Sequence, residues 1–159
     1  MPFAPLTPDM TSAATSATPL TPGQATVAID RRTARVAAFF ESISPASLGT
    51  LSSVYSEQAR FKDPFNDVTG LQGIQRVFAH MFDTVQNPRF VVHHTMTQGE
   101  HAWLTWDFLI DRPDGTLTVH GATQLTFAPD GRVSVHRDYW DTAEELYAKL
   151  PVIGALVRW

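Results

Sequence analysis

Apolar positions in the first half of the chain recur at helical spacing, and those in the second half alternate as in strands. Ile29, Val36, Phe40 and Ile43 form one stripe, which predicts a helix from Thr21-Pro22-Gly23-Gln24 to about Ser42. There Thr can cap, Pro suits the first turn and Gln can reach back. Ser44-Pro45 repeats the start signal for a short second helix carrying Leu48, Leu51 and Val54. A short strand, Arg60 to Lys62, then runs into Asp63-Pro64. Leu71, Ile74, Phe78, Met81 and Val85 make another amphipathic helix. Four β-rich stretches follow: Arg89 to Gln98, His101 to Asp111, Leu117 to Phe127, and Arg132 to Trp140. Gly99-Glu100, Pro113-Asp114-Gly115 and Pro129-Asp130-Gly131 divide them as turns, and such short connections imply antiparallel neighbours. Thr142-Ala143-Glu144-Glu145 opens a last helix, through Leu150, that Pro151 kinks or ends.

Helices first and a meander afterwards predict one α+β domain. Its curved antiparallel sheet carries helices on the concave face, enclosing a cone-shaped pocket. The 159 residues suit a single domain, expected over residues 21–159. Residues 1–20, dominated by Pro, Thr, Ala and Ser, read as a disordered tail because they bury too little apolar surface to offset chain entropy. A net charge of -4 with no basic cluster argues against a nucleic acid or an anionic membrane as partner. With no cysteine, disulfides, thiolate nucleophiles and cysteine-ligated metals are excluded. The N-terminus lacks a charged-then-apolar leader and no segment has the length of a membrane span, so a cytoplasmic protein is expected.

Two runs carry a resemblance. Tyr55-Ser56-Glu57-Gln58-Ala59-Arg60-Phe61-Lys62-Asp63-Pro64, followed by a Gly and an amphipathic helix, resembles the first strand of ketosteroid isomerases. Gly131-Arg132-Val133-Ser134-Val135-His136-Arg137-Asp138-Tyr139-Trp140-Asp141 resembles the last strand of limonene epoxide hydrolases. Both families have the nuclear transport factor 2-like (SnoaL-like) fold, and the similarity covers about residues 25–150. By the isomerase resemblance Asp63 is the general base, with Phe39 or Phe40 where that family has its oxyanion tyrosine and Thr123 where it has an acid. By the hydrolase resemblance Asp107 and Asp138 are the catalytic aspartates. Thr105 then replaces the bridging arginine, and Phe61 and Asp63 replace the tyrosine and asparagine around the attacking water.

Alternation puts Trp103, Thr105, Asp107 and Leu109 on one face of a strand, and His136, Asp138 and Trp140 on one face of another. If these faces line the cavity, three carboxylates meet there, one of them kept protonated beside a base. Asp107 or Asp138 would then activate water while the other donates a proton. Alternatively, Asp63 would take a proton next to a carbonyl while His136 or a protonated aspartate steadies the oxyanion. Plainer readings stand beside these: Asp63 before Pro64 as a turn cap, and His136 with Asp138 as a hydrogen-bonded pair fixing the strand. No third ligand completes a metal site around His136 and Asp138, and no cofactor is expected. The opposite parity, Leu104, Trp106, Phe108 and Ile110, needs cover, which predicts a homodimer through the sheet face opposite the helices. The function expected is cofactor-independent acid/base chemistry on a small apolar molecule, of isomerase, cyclase or epoxide hydrolase type. The alternative is a non-catalytic ligand-binding or dimerisation module; a protein-recognition role for the apolar run 150–159 is the third.

Overall fold

The computed structural model describes residues 29–145. The expected tail, the start of the first helix and the C-terminal run lie outside those residues. Helix α1 (Arg31–Glu41) is capped by Asp30, whose carboxylate accepts from the Arg32 N–H at 2.8 Å, so an otherwise open donor at the helix start is satisfied by a side chain. Val36 and Phe40 are buried on it, whereas Ile29 stands before the helix and is 64% exposed, off the expected stripe. The second helix, Pro45–Ser53, is 3₁₀ rather than α, opened by a reciprocal Ser44–Ser47 capping box. Leu48, Leu51 and Val54 are three apart, which suits three residues per turn and puts all three in the core.

Strand β1 (Tyr55–Lys62) is longer than the expected Arg60 to Lys62. Its pairing slips between Tyr55 and Arg60, so Glu57 and Gln58 are both exposed and the alternation that marks a strand is lost there. A three-residue strand, β2 (Asp67–Thr69), was not foreseen. It pairs with β1, and Asp67 bridges Arg60 at 2.7 Å and Lys62 at 3.1 Å. Helix α2 (Leu71–Thr84) buries Ile74 and Phe78 as its periodicity predicts. The meander follows as β3 (Gln86–Gln98), β4 (His101–Arg112), β5 (Gly115–Phe127) and β6 (Val133–Tyr139), and the described chain closes with α3 (Thr142–Glu145).

The six strands form one open sheet in the order β2-β1-β6-β5-β4-β3. Its α+β character is as expected, but the sheet is mixed: β1 runs parallel to β6. Turn lengths reveal the hairpin neighbours and carry no information about this long-range pair. Slips in β1, in β3 between Val92 and His94, and at Thr126/Phe127 are the bulges that bend a sheet. Among the described residues no helix is long and apolar enough to cross a membrane.

One face assignment is reversed. Along β4, Ala102, Leu104 and Trp106 are buried, while Trp103 and Thr105 are exposed and Asp107 is half-buried. The Leu104 parity therefore faces the helices and core, and the Trp103 parity forms the outer face. The residues expected to need a partner's cover are the ones the helices cover. The apolar run Leu104, Trp106, Phe108, Ile110 is the more continuous of the two, and burial follows it.

Ile74 on α2 is fully buried in the cluster that joins both helices to the sheet. Ile74→Ala is expected to lower stability by about 2–5 kcal/mol through lost burial and an unfilled cavity, read as a shifted midpoint in denaturant titration.

Candidate active site

β6 brings the site together because it lies between the chain's first strand and the meander. Its His136 is in register with Phe61 on β1 and Leu125 on β5, and its Asp138 with Thr123 on β5. Thr123 is in turn in register with Leu104 on β4. Parity thus directs Leu104, Thr123, His136 and Asp138 inward together.

His136 is 2% exposed and packed among aromatic rings, with Phe61 at 4.7 Å and Phe40 at 5.5 Å between centroids. Its Nδ1 lies 2.8 Å from the Tyr55 hydroxyl and its Nε2 lies 2.8 Å from Asp138 Oδ1. Tyr55 is fully buried. Burial pushes its phenol well above the usual value, and the charge of Asp138 pushes the same way, so the hydroxyl keeps its proton. From the other side, Trp106 Nε1–H donates to Thr123 Oγ1 at 2.8 Å, and Thr123 donates to Asp138 Oδ1. The direction of this second line is forced. An indole nitrogen only donates, so the single hydroxyl proton of Thr123 is left for the carboxylate. Asp138 Oδ2 takes part in none of these bonds.

An enclosed cavity is lined by Phe40, Phe78, Phe90, Val92, Leu104 and Trp106, with Thr123, His136 and Asp138 as its polar wall. Its free volume is about 20 Å³, room for roughly one water. Asp138 also lines a wider open cleft of about 680 Å³, together with Lys62, Asp63, Pro64, Arg137 and residues 139–142. The carboxylate therefore stands where the tight apolar cavity meets the cleft.

The three expected carboxylates do not meet. Asp63 is held in its own turn: its Oδ1 accepts from the N–H of Phe65 at 2.7 Å and of Asn66 at 2.6 Å, and the Asn66 side chain donates to both oxygens. It borders the cleft as a turn cap. Asp107 lies on the outer face, clamped between His120 Nδ1 at 2.6 Å and His93 Nε2 at 3.1 Å. Burial raises its pKa, but the bonds from His120 and His93 outweigh that and hold the carboxyl below its usual range. Both Asp107 oxygens are occupied, each by a different imidazole. Among the described residues no group of three or more His, Asp or Glu is placed to hold a metal ion.

The remaining expected pocket residues divide in the same way. Phe61 and Thr123 are inside, and Phe39 is half-buried, edge-on to Phe40 at 5.6 Å. Trp140 packs on Phe65 at 5.4 Å beside the cleft. Trp103 stacks on Tyr139 at 5.6 Å and Thr105 contacts His94 at 3.2 Å, both on the outer face, and Leu109 has the same parity. His136 has both ring nitrogens engaged, which leaves neither for a substrate oxyanion. Tyr55, Phe90 and Trp106 were missed. Trp106 and Tyr55 are bulky aromatics with one polar atom each, and a buried Trp or Tyr needs a partner for that atom; the search for that partner was the available signal.

Trp106 reaches Thr123 by lying over Gly121, its register partner, where a built Cβ would collide with the indole ring. Gly121→Ala is expected to displace the indole, break its bond to Thr123 and lower stability by about 1–3 kcal/mol. The checks are a blue-to-red change in tryptophan emission and a lowered Tm in the same variant.

Residues 36–136 match the SnoaL-like domain family. No curated protein matches the sequence. Among solved structures, the chain is similar to a protein of ketosteroid isomerase-like fold from Catenulispora acidiphila in complex with trimethylamine. The two share 18% identity over 81% of this chain and 96% of that one, with a TM-score of 0.64. A candidate SnoaL-like polyketide cyclase from Jannaschia sp. CCS1 shares 18% identity over 71% and 87%, with a TM-score of 0.62. TerC, co-crystallised with polyporic acid, shares 17% over 80% and 97%, with a TM-score of 0.59. A family match across most of the described chain, on the nuclear transport factor 2-like fold that the two resembling strands implied, makes this protein a member of the SnoaL-like domain family.

Proposed function

We propose that the protein is a cofactor-independent proton-transfer enzyme of isomerase or cyclase type, with Asp138 as its single general base. The observation that supports this reading is the asymmetry of one carboxylate. Oδ1 accepts from Thr123 and His136, while Oδ2 lies outside those bonds, on a residue that lines both the aromatic cavity and the cleft. Both bonds fall on one oxygen, and the other oxygen is left to take a proton. The cavity has room for a reacting carbon and its hydrogen, and the cleft for the body of a small, largely apolar molecule carrying an enolisable carbonyl.

Epoxide opening needs a second acid opposite the base, and Asp107 is on the far side of the sheet. A single carboxylate is sufficient when the proton removed is returned to the same molecule, as in a shift between two carbons or an aldol-type ring closure. The polyketide cyclase name of one structural neighbour supports this reaction type. In Asp138→Asn the amide oxygen can still accept from Thr123 and His136, so the fold should survive. Substrate C–H exchange with deuterated water, followed by NMR across a panel of enolisable ketones, is expected to fall by about 10²–10⁴-fold. Undiminished exchange in a folded Asn variant would remove Asp138 as the base.

We further propose that the outer sheet face seats a second copy of the chain. Val91, Met96, Trp103, Val135 and Tyr139 are exposed there, on β3, β4 and β6 of the four neighbouring strands β3 to β6. Four strands ~4.8 Å apart and ~10 residues long at ~3.3 Å each give roughly 600 Å² of face, near the ~800 Å² per partner of ordinary stable interfaces once side chains are included. Sedimentation at micromolar concentration is expected to show a dimer, and Trp103→Glu a folded monomer. A monomeric parent protein would refute the pairing.

A further inference from the structure

We propose that Tyr55 is a positioning residue of this site: its hydroxyl, donating to His136 Nδ1, locks the imidazole as the Nε2–H tautomer and so aims one fixed donor at Asp138. The inference concerns the site read above as a proton-transfer centre, and it stands on hydrogen-bond direction alone.

The argument starts from the far end of the network. Trp106 can only donate, so Thr123 must donate onward to Asp138 Oδ1. That oxygen is also 2.8 Å from His136 Nε2. An ionised carboxylate only accepts, so the proton between them belongs to Nε2. A neutral imidazole then has a bare Nδ1, and the one group facing it is the Tyr55 hydroxyl at 2.8 Å. Tyr55 is 0% exposed, and no other bond to its hydroxyl is seen among the described residues. Donation to Nδ1 therefore uses its proton. Two lines of donors, Tyr55 to His136 and Trp106 to Thr123, converge on Oδ1, and each hydrogen has one place.

The arrangement resists every alternative. The opposite tautomer would put a proton on Nδ1 against the phenol and leave Nε2 with a lone pair facing the carboxylate. A doubly protonated ring would require the phenol oxygen to accept, leaving its own proton in the core with no acceptor seen among the described residues. Phenylalanine at position 55 would release this control: the ring would be free to exchange tautomers or turn over, and Asp138 would lose a defined donor part of the time. Tyr55 touches no substrate, so its effect on turnover passes through His136.

The test is ¹⁵N–¹H correlation of the histidine rings in the full, labelled chain at neutral pH, with the His136 signals identified by their loss in His136→Gln. The expected result in the parent protein is a protonated Nε2 and a bare Nδ1. In Tyr55→Phe, folded by its circular dichroism, both tautomers or the imidazolium should appear. Substrate exchange should then fall by at least about tenfold with KM little changed, because the loss is in the base and not in binding. A protonated Nδ1 in the parent protein, which needs no variant to observe, would overturn the inference. So would ring signals unchanged by Tyr55→Phe. The ring signals decide the positioning role whatever Asp138→Asn does to turnover, so this inference and the proton-transfer reading can fail separately.

Discussion

Which side of β4 faces the helices determines almost everything else in this molecule. Ala102, Leu104 and Trp106 are buried, and once they are, register carries the choice across the sheet: Thr123 is inward because it pairs with Leu104, and Asp138 because it pairs with Thr123. A slip of one residue in β4 would turn Trp106 to solvent, separate it from Thr123 and bring Asp107 to the core side. The burial of one Trp and its aliphatic neighbours is thus what selects Asp138 over Asp107 as the carboxylate at the cavity.

The two aspartates illustrate how environment divides similar groups. Each sits beside histidine. On the outer face Asp107 has an imidazole at each oxygen, so its charge is shared out and its capacity to accept a proton is low. Inside, the bonds from Thr123 and His136 both fall on one oxygen of Asp138. The first arrangement ties three strands together. The second leaves a reactive atom at the edge of an apolar space.

Much of the fold could be read from the sequence because the strongest signals are local. Turn residues marked the hairpins of the meander, and periodicities of 3.6 and 2 separated α2 from β3 to β6. What escaped was non-local or irregular: the slip that conceals most of β1, the parallel pairing of β1 with β6, and the three-residue β2. The site was half legible. His136 and Asp138 were named as one face of a strand, and the structure joins them. Asp107 was drawn inward by its resemblance to a catalytic aspartate, although its own strand offers a more continuous apolar run on the opposite parity. Tyr55 was invisible as a site residue because its partner is 81 positions away and no local pattern encodes that distance.

That separation has a consequence in time as well as in space. The parallel contact of β1 with β6 brings together the first strand of the domain and the last, so the bond between Tyr55 and His136 closes the longest loop in the polar network. During synthesis β1 and both early helices emerge well before residue 136 exists, and through that interval the buried hydroxyl has no imidazole to meet. The cavity can close only when the final strand inserts between β1 and β5. The reactive carboxylate is carried on that same strand, so the protein assembles its chemistry in a single late step, and a chain cut short before β6 contains neither the base nor the groups that would hold it.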